Sequence, residues 1–142
     1  MNESSILLLI ALIAPWNASS QSQADWWYFG DSAGVHFTSN GPQTTVNSAM
    51  WASEGCASFS DVDGNLLLYT NGMTVWNSEH DTMLYGSGLL GGSSYTQAAI
   101  LVADPYSSNR IYLFTTTGGL GLKYSIIDMD LDGGLGGVDT LN

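Results

Sequence analysis

Hydrophobic and polar positions alternate most clearly between Glu54 and Asn77, where short apolar runs are separated by turn residues. An Asp-Gly pair and an Asn-Gly pair supply the positive-φ positions that tight hairpins need. The middle run has apolar side chains at adjacent positions, which predicts a strand that is covered on both faces. The segment therefore predicts three strands, at Gly55–Ser60, Leu66–Thr70 and Met73–Asn77, with turns at Asp61–Asn65 and Asn71–Gly72.

The same alternation recurs in the last third of the chain, where it predicts a meander of four strands: Gln97–Ala103, Arg110–Thr117, Leu122–Met129 and Val138–Asn142. Before Glu54, Val35–Phe37 reads as a strand and Thr38–Thr45 as a polar loop, whereas Val46–Trp51 is ambiguous and could be a strand edge. Ser78–Tyr85 is expected to continue the third strand of the central segment and then leave it. Helix is nearly absent from these patterns.

Strands that are apolar on both faces need a neighbouring sheet above and below, and stacked four-stranded meanders are the blades of β-propellers. The two meanders begin about 40 residues apart, which is close to a propeller repeat. The 118 residues from Asp25 to Asn142 would form fewer than three blades at roughly 40–45 residues each. Because propellers close with four or more blades, we expect a partial propeller of two to three blades, an N-terminal fragment whose last sheet face is uncovered.

The first 24 residues resemble a signal peptide. Ile6–Ala14 is a nine-residue apolar run, too short to span a bilayer and suited to a signal-peptide core. Small residues at Ala18–Ser20 or near Ala24 could supply the cleavage site. Glu3, without a nearby Lys or Arg, is atypical for such a leader, and a buried strand or helix is the alternative. The expectation is a secreted or cell-surface protein with no membrane insertion after leader removal.

Charge narrows the range of partners. The chain has 13 acidic and 2 basic residues, giving a formal net charge of -11. Such a surface repels phosphate backbones and anionic lipid headgroups, so nucleic-acid binding is not expected. A single cysteine, Cys56, excludes an intrachain disulfide, and its apolar neighbours favour a packing role over a nucleophilic one.

The acidic spacing near the C-terminus suggests one possible metal site. Asp128, Asp130, Asp132 and Asp139 occupy positions 1, 3, 5 and 12 of a calcium-loop template, with Gly133 at position 6. However, position 12 is Asp rather than the longer Glu, and predicted strands flank the loop where an EF-hand has helices. A solvated turn rich in Asp and Gly explains the same residues, so the metal assignment stays open and no cofactor is expected.

Other chemistry-bearing residues admit a functional and a structural interpretation. The aromatic run in Asp25–Phe29 could be a carbohydrate platform, but alternate strand residues face opposite ways and core packing is favoured. His36 lies between apolar neighbours and is expected to be structural. His80 lies beside Glu79 and Asp81, which could form a metal site, although adjacent strand residues diverge and solvated positions are favoured. No triad or carboxylate pair can be assigned, so no catalytic residue is predicted.

Several motifs together resemble the N-terminal propeller-like region of large secreted proteins that end in a gliding-motility-associated, type B sorting domain for type IX secretion. The matching segments are Trp27–Gly30, Ala33–Gly34, Glu54–Ala57, Asp63–Leu67, Tyr69–Gly72, Val75–Asn77, Gly88–Gly91, Thr96–Gln97, Ala99–Ile100, Tyr124–Ser125, Asp128–Met129 and Gly133–Gly136. The family pattern often has non-acidic residues where Asp130 and Asp132 stand. The resemblance implies export and a surface role and carries over no catalytic residues.

These observations predict a secreted β-propeller module for binding, adhesion or scaffolding in a larger exported protein. Its ligand would be a surface glycan or protein, met through loops such as the glycine-rich Gly86–Ser94, which lacks the Gly-Lys-Ser/Thr ending of a P-loop. Two alternatives remain open: part of a propeller hydrolase acting on extracellular glycans, and a spacer without any ligand.

Overall fold

The computed structural model describes residues 22–119 and 121–141, and this part of the chain is all-β. The predicted fold class is confirmed at that level. The only helical segments in the described part of the chain are two short 3-10 turns, Ser22–Ala24 and Asp132–Gly134. The strands are β1 (Trp26–Tyr28), β2 (Gly34–Thr38), β3 (Gly41–Thr45), β4 (Ala57–Ser60), β5 (Leu66–Thr70), β6 (Thr74–Asn77), β7 (Thr82–Ser87), β8 (Ala99–Ala103), β9 (Arg110–Thr117), β10 (Gly121–Asp128) and β11 (Gly137–Leu141).

The strands form two sheets. The first is a three-stranded antiparallel sheet in the order β1-β2-β3. The second contains two antiparallel meanders, β4 to β7 and β8 to β11, which we call meander 1 and meander 2. One parallel pairing, between Leu84 of β7 and Gly137 of β11, joins the meanders. The edge strands β4 and β8 also approach each other, so the eight strands curl into a nearly closed, barrel-like sheet.

Side chains at the turns of meander 1 fix its strand register. Asp61 follows β4, and its Oδ1 accepts hydrogen bonds from the backbone N–H groups of Asp63 at 2.9 Å and Asn65 at 2.8 Å. Asn71 follows β5, and its Oδ1 accepts the N–H groups of the two residues after Gly72. Gly72 has φ of 85°, which only glycine adopts without strain. Both turns lie where the sequence predicts them.

The main core lies between the two meanders. Leu68 on β5 and Val75 on β6 face Leu113 on β9 and Ile127 on β10, and all four are fully buried. These side chains come from alternate strand positions, as a sheet packed on one face requires. Packing of the two meanders against each other therefore buries one of the two apolar faces of these strands.

A second core lies on the opposite face of meander 1, against the three-stranded sheet. Tyr69 follows Leu68 on β5 and is fully buried against Tyr28 of β1 and Met50. The Tyr69 ring lies 4.7 Å from that of Tyr28 and stacks on Trp76 at 5.5 Å between centroids. The prediction that Leu66–Thr70 is covered on both faces is thus confirmed.

Two local predictions need correction, and one segment that the sequence left ambiguous is now assigned. The segment Thr38–Thr45 is not a loop, because Gly41–Thr45 pairs with β2 as the edge strand β3. Edge position explains the error, since Pro42 and polar side chains are tolerated where one side of a strand has no partner. Thr82–Ser87 is a separate strand rather than a continuation of β6, since the chain reverses at His80. Val46–Trp51 forms no regular strand.

The face of meander 2 that points away from meander 1 is apolar and exposed. Ile100, Val102 and Tyr124 are 53%, 43% and 42% exposed. Two cross-strand rows make up this outer face: Ile100, Phe114 and Tyr124 in one, Val102, Tyr112 and Ile126 in the other. Neither of the two hydrophobic clusters among the described residues includes a member of these rows, whereas the three-stranded sheet covers meander 1.

The predicted signal-peptide core, Ile6–Ala14, lies outside the described residues. Only the end of the predicted leader, Ser22–Ala24, is described, and it forms a 3-10 turn beside β4. Within residues 22–119 and 121–141, no helix has the length and apolar character needed to cross a membrane.

Candidate ligand-binding cleft

The aromatic run at the start of the chain divides between two environments. Trp26 and Tyr28 point toward the second core, whereas Trp27 and Phe29 point outward and are 49% and 42% exposed. The Trp27 ring meets that of Phe37 edge to face, with centroids 5.3 Å apart. The core interpretation is therefore correct for alternate residues of this run, and the other two aromatic rings are available to a ligand.

An open cleft of about 380 Å³ lies where β1, β4 and β8 come together. Trp27 and Phe29 border it on the β1 side, and β4 and β8 supply small and aliphatic side chains. Among the described residues that line it, none carries a charge. The lining consists of Gln23, Ala24, Trp26, Trp27, Tyr28, Phe29, Cys56, Ala57, Ser58, Ala99, Ile100 and Leu101.

Two side chains of the β4 segment hold β1 in place. The backbone N–H of Tyr28 donates to Ser58 Oγ at 2.8 Å, and Cys56 Sγ donates to the carbonyl of Tyr28 at 3.3 Å. These bonds fix the neighbouring Trp27 and Phe29 relative to the cleft. Burial raises the pKa of the Cys56 thiol, which disfavours the thiolate and agrees with a packing role.

The edge of β8 presents backbone polar groups on the side away from β9. The N–H of Thr116 bonds to the carbonyl of Ala98, and the N–H of Asp104 bonds to the carbonyl of Arg110. Since backbone groups alternate along a strand, the intervening Ala99 and Leu101 direct their N–H and C=O groups away from β9. Both residues line the cleft.

A hydrogen-bonded network lies between the first sheet and meander 1 and shares Tyr28 with the cleft. His80 Nε2 lies 2.8 Å from Asn47 Nδ2, and His80 Nδ1 lies 3.2 Å from the Tyr69 hydroxyl. The Tyr69 hydroxyl accepts the N–H of Ala49 at 3.0 Å, and Tyr28 donates to Asn47 Oδ1 at 3.1 Å. Burial raises the pKa of both tyrosines. These hydrogen bonds join the first sheet to meander 1, and we interpret the network as structural.

The proposed metal residues around His80 do not converge. Its ring contacts Asn47 and Tyr69, and no bond joins it to Glu79 or Asp81. The sequence could not indicate this partnership, because Asn47 lies 33 residues away in a stretch without regular structure. His36 stacks on Trp26 with centroids 3.8 Å apart, in keeping with its predicted structural role.

The acidic loop after β10 is held by other partners. Asp128 Oδ1 accepts the N–H of Asp130 at 2.9 Å, and its Oδ2 lies 3.7 Å from Arg110 Nε. Asn109 donates to Asp130 Oδ1 at 2.8 Å. Asp132 begins a 3-10 turn, and a strand precedes and follows the loop. Within the described residues, no three His, Cys, Asp or Glu side chains are grouped as metal ligands would be.

The glycine-rich loop Gly86–Ser94 packs closely against its neighbours. Leu89 is buried in the main core, and the backbone N–H of Glu54 donates to the carbonyl of Ser93 at 3.1 Å. Gly91 lies so close to the carbonyl of Gly72 that a Cβ atom would overlap it. Close approach of two backbones explains why glycine occurs here, and the loop contributes no residue to the cleft.

No family model, curated protein or solved structure matches this chain. The fold and the cleft by themselves define a class: an all-β protein of packed antiparallel sheets with an uncharged, aromatic-lined cleft beside the two edge strands of its larger sheet.

Proposed function

We propose that this chain is a β-propeller module that serves binding and scaffolding in a larger secreted or cell-surface protein. The observation that carries the proposal is the apolar outer face of meander 2, whose side chains have no described cover. A surface of this kind marks a place where another structural element packs.

The repeat of the meanders supports the propeller interpretation. β4 and β8 begin at Ala57 and Ala99, which are 42 residues apart, and each opens a four-stranded antiparallel unit. The two units pack face to face through alternate apolar side chains, as successive blades do. A third sheet on the outer face would repeat the same packing.

The size of the outer face indicates what kind of partner covers it. With strands about 4.8 Å apart and same-face residues about 7 Å apart, three strands and two rows cover on the order of 200 Å². A stable complex of free chains takes roughly 20–30 residues from each partner, whereas these two rows hold six. The favoured occupant is therefore a further antiparallel sheet of the same assembly, held nearby by covalent connection rather than by this contact alone.

The outer face can be tested by replacing Phe114 and Tyr124 with threonine in the full chain, which keeps β-propensity and removes apolar surface. We expect lower ANS fluorescence than for the unmodified chain. The matched control replaces Val46 and Tyr106, which are 82% and 96% exposed elsewhere, with threonine. An unmodified chain that binds no ANS, or a control that changes as much, would contradict the proposal.

Export is tested separately by protease treatment of intact source cells that carry an epitope-tagged full-length protein. The tag should be lost from whole cells while a cytoplasmic marker remains. Protection of the tag in intact cells, with digestion only after lysis, would show that the surface assignment is wrong.

A further inference from the structure

We infer that the cleft between β1, β4 and β8 binds a neutral saccharide through the aromatic rings of Trp27 and Phe29. This inference rests on the proposed binding function and assigns its ligand class and its site. It follows from three properties of the cleft: exposed aromatic faces, free backbone hydrogen-bonding groups and the lack of charge among the residues that line it.

The aromatic rings are exposed and fixed in position. Trp27 and Phe29 leave about half of their surface to solvent, whereas neighbouring Tyr28 is buried and Trp26 is partly buried. The edge-to-face contact with Phe37 and the bond from the Tyr28 N–H to Ser58 restrict where Trp27 can lie. A pyranose ring has an apolar face of C–H groups, and the electron-rich face of an aromatic ring suits such partially positive hydrogens.

Polar groups for sugar hydroxyls lie on the opposite side of the cleft. Ala99 and Leu101 have N–H and C=O groups directed away from β9. On the β1 side, Ser58 Oγ already accepts the Tyr28 N–H, which leaves its hydroxyl proton to donate. Few, fixed polar groups within an apolar lining are typical of small-ligand sites. A saccharide matches this arrangement because it combines an apolar ring face with hydroxyls around its edge.

The charge of the chain and the volume of the cleft restrict the class of ligand further. The lining carries no charge, so a charged ligand would find no ionic partner there. The chain as a whole has a net charge of -11, which disfavours uronic acids, sialic acids and sulfated sugars. The volume of about 380 Å³ is near the lower limit for small-ligand sites, roughly 300 Å³, and suits one or two sugar rings.

An extended peptide is the main competing ligand, since it could pair with the free edge of β8. An added strand would lie about 4.8 Å from β8, so strand addition needs unoccupied space of that width along the edge. Here β4 approaches β8 and Gly55 lies directly against the backbone of Ala98. The saccharide is favoured because it needs only separate contacts with the edge groups, not a continuous ladder.

The test begins with the full chain on an array of neutral and acidic glycans, followed by titration calorimetry with cellobiose, maltose and N,N′-diacetylchitobiose. At least one neutral sugar should bind, and glucuronic-acid disaccharides should not. Trp27→Ala should weaken binding at least tenfold, whereas Trp51→Ala, which removes a 71% exposed tryptophan outside the cleft, should leave it unchanged. Urea unfolding of both variants confirms that they are folded.

Three results would overturn the inference: no neutral glycan bound, equal affinity in folded Trp27→Ala, or binding only of a labelled peptide with alternating valine and threonine. The variant with Phe114 and Tyr124 replaced by threonine separates the two proposals. It should keep sugar binding, because neither residue lines the cleft. If the unmodified chain binds no neutral sugar but the Phe114 and Tyr124 variant still lowers ANS fluorescence, the saccharide inference fails and the sheet-stacking proposal stands.

Discussion

Replacement of Tyr69 by phenylalanine tests how the three-stranded sheet is held to meander 1. The Tyr69 ring is fully buried, and its hydroxyl accepts the Ala49 N–H at 3.0 Å and bonds with His80 Nδ1 at 3.2 Å. Phenylalanine keeps the ring packing but leaves these two partners unsatisfied. Ala49 is exposed and His80 is partly buried, so water can reach the groups that lose their partner. We therefore expect the ordinary net value of a lost hydrogen bond, about 0.5–1.5 kcal/mol for each of the two bonds, as the loss in the free energy of unfolding at pH 7.

The pH dependence sharpens this prediction. Burial raises the pKa of Tyr69 in the folded state above the value of about 10 expected for unfolded tyrosine. As pH rises above about 10, the unfolded chain loses the proton first, so the unfolded state gains stability and the free energy of unfolding falls. The stability that comes from the raised pKa of folded Tyr69 is fully present below pH 10 and is lost as pH rises above it. Tyr69→Phe lacks this titration, so its stability should approach that of the unmodified chain at alkaline pH.

The assay is urea unfolding followed by tryptophan fluorescence at several values between pH 7 and pH 11. Tyr106→Phe, which alters a tyrosine that is 96% exposed, provides the control and should change stability by less than about 0.5 kcal/mol. A Tyr69→Phe variant as stable as the control at pH 7, or a deficit that widens above pH 10, would refute the reasoning.

Two further predictions concern the main core and the first hairpin turn. Leu113→Ala should lower the free energy of unfolding by about 2–5 kcal/mol, because Leu113 is fully buried between the meanders. The control, Leu122→Ala, changes a residue that is 67% exposed and should lower it by less than about 1 kcal/mol. Both values are measured by urea unfolding. Asp61→Asn tests the turn: burial acts to raise the pKa of Asp61, but hydrogen bonds from Asn65 and Asp63 outweigh it and the net pKa is lowered. The ionised Asp61 carboxylate therefore adds to the free energy of unfolding above the unfolded pKa of about 3.9, and this contribution is lost as pH falls. The loss of stability caused by Asp61→Asn should shrink below pH 4. A loss that stays constant from pH 7 to pH 3 would contradict this prediction.

Local sequence patterns predicted most of the strands of the two meanders. Asp61 and Asn71 mark hairpin turns because their side chains bond nearby backbone groups, and such short-range interactions are visible in the sequence. The edge strand β3 was missed, because an edge strand with Pro42 has the composition of a loop. The prediction for Asp25–Phe29 was half right, since alternation was evident but which face would be covered was not.

The candidate cleft could be predicted only in part. Its aromatic residues attracted attention in the sequence, but its other walls come from β4 and β8, which lie about 30 and 70 residues further along the chain. The network of Tyr69, His80 and Asn47 gave no sequence signal for the same reason. Nothing short-range links such residues, so their contacts depend on how whole sheets pack.

By itself, the sequence determined the all-β character of this protein, the turns of its two meanders and its strong negative charge. Each of these follows from neighbouring residues: the alternation of side chains along a strand, the left-handed backbone of Gly72, and the number of carboxylates. Tertiary structure alone decided which faces are covered and which rings border a cleft. The physical reason is that burial depends on what lies across from a side chain, and for Trp27 and Phe114 that neighbour is set by sheet packing and not by the adjacent residues.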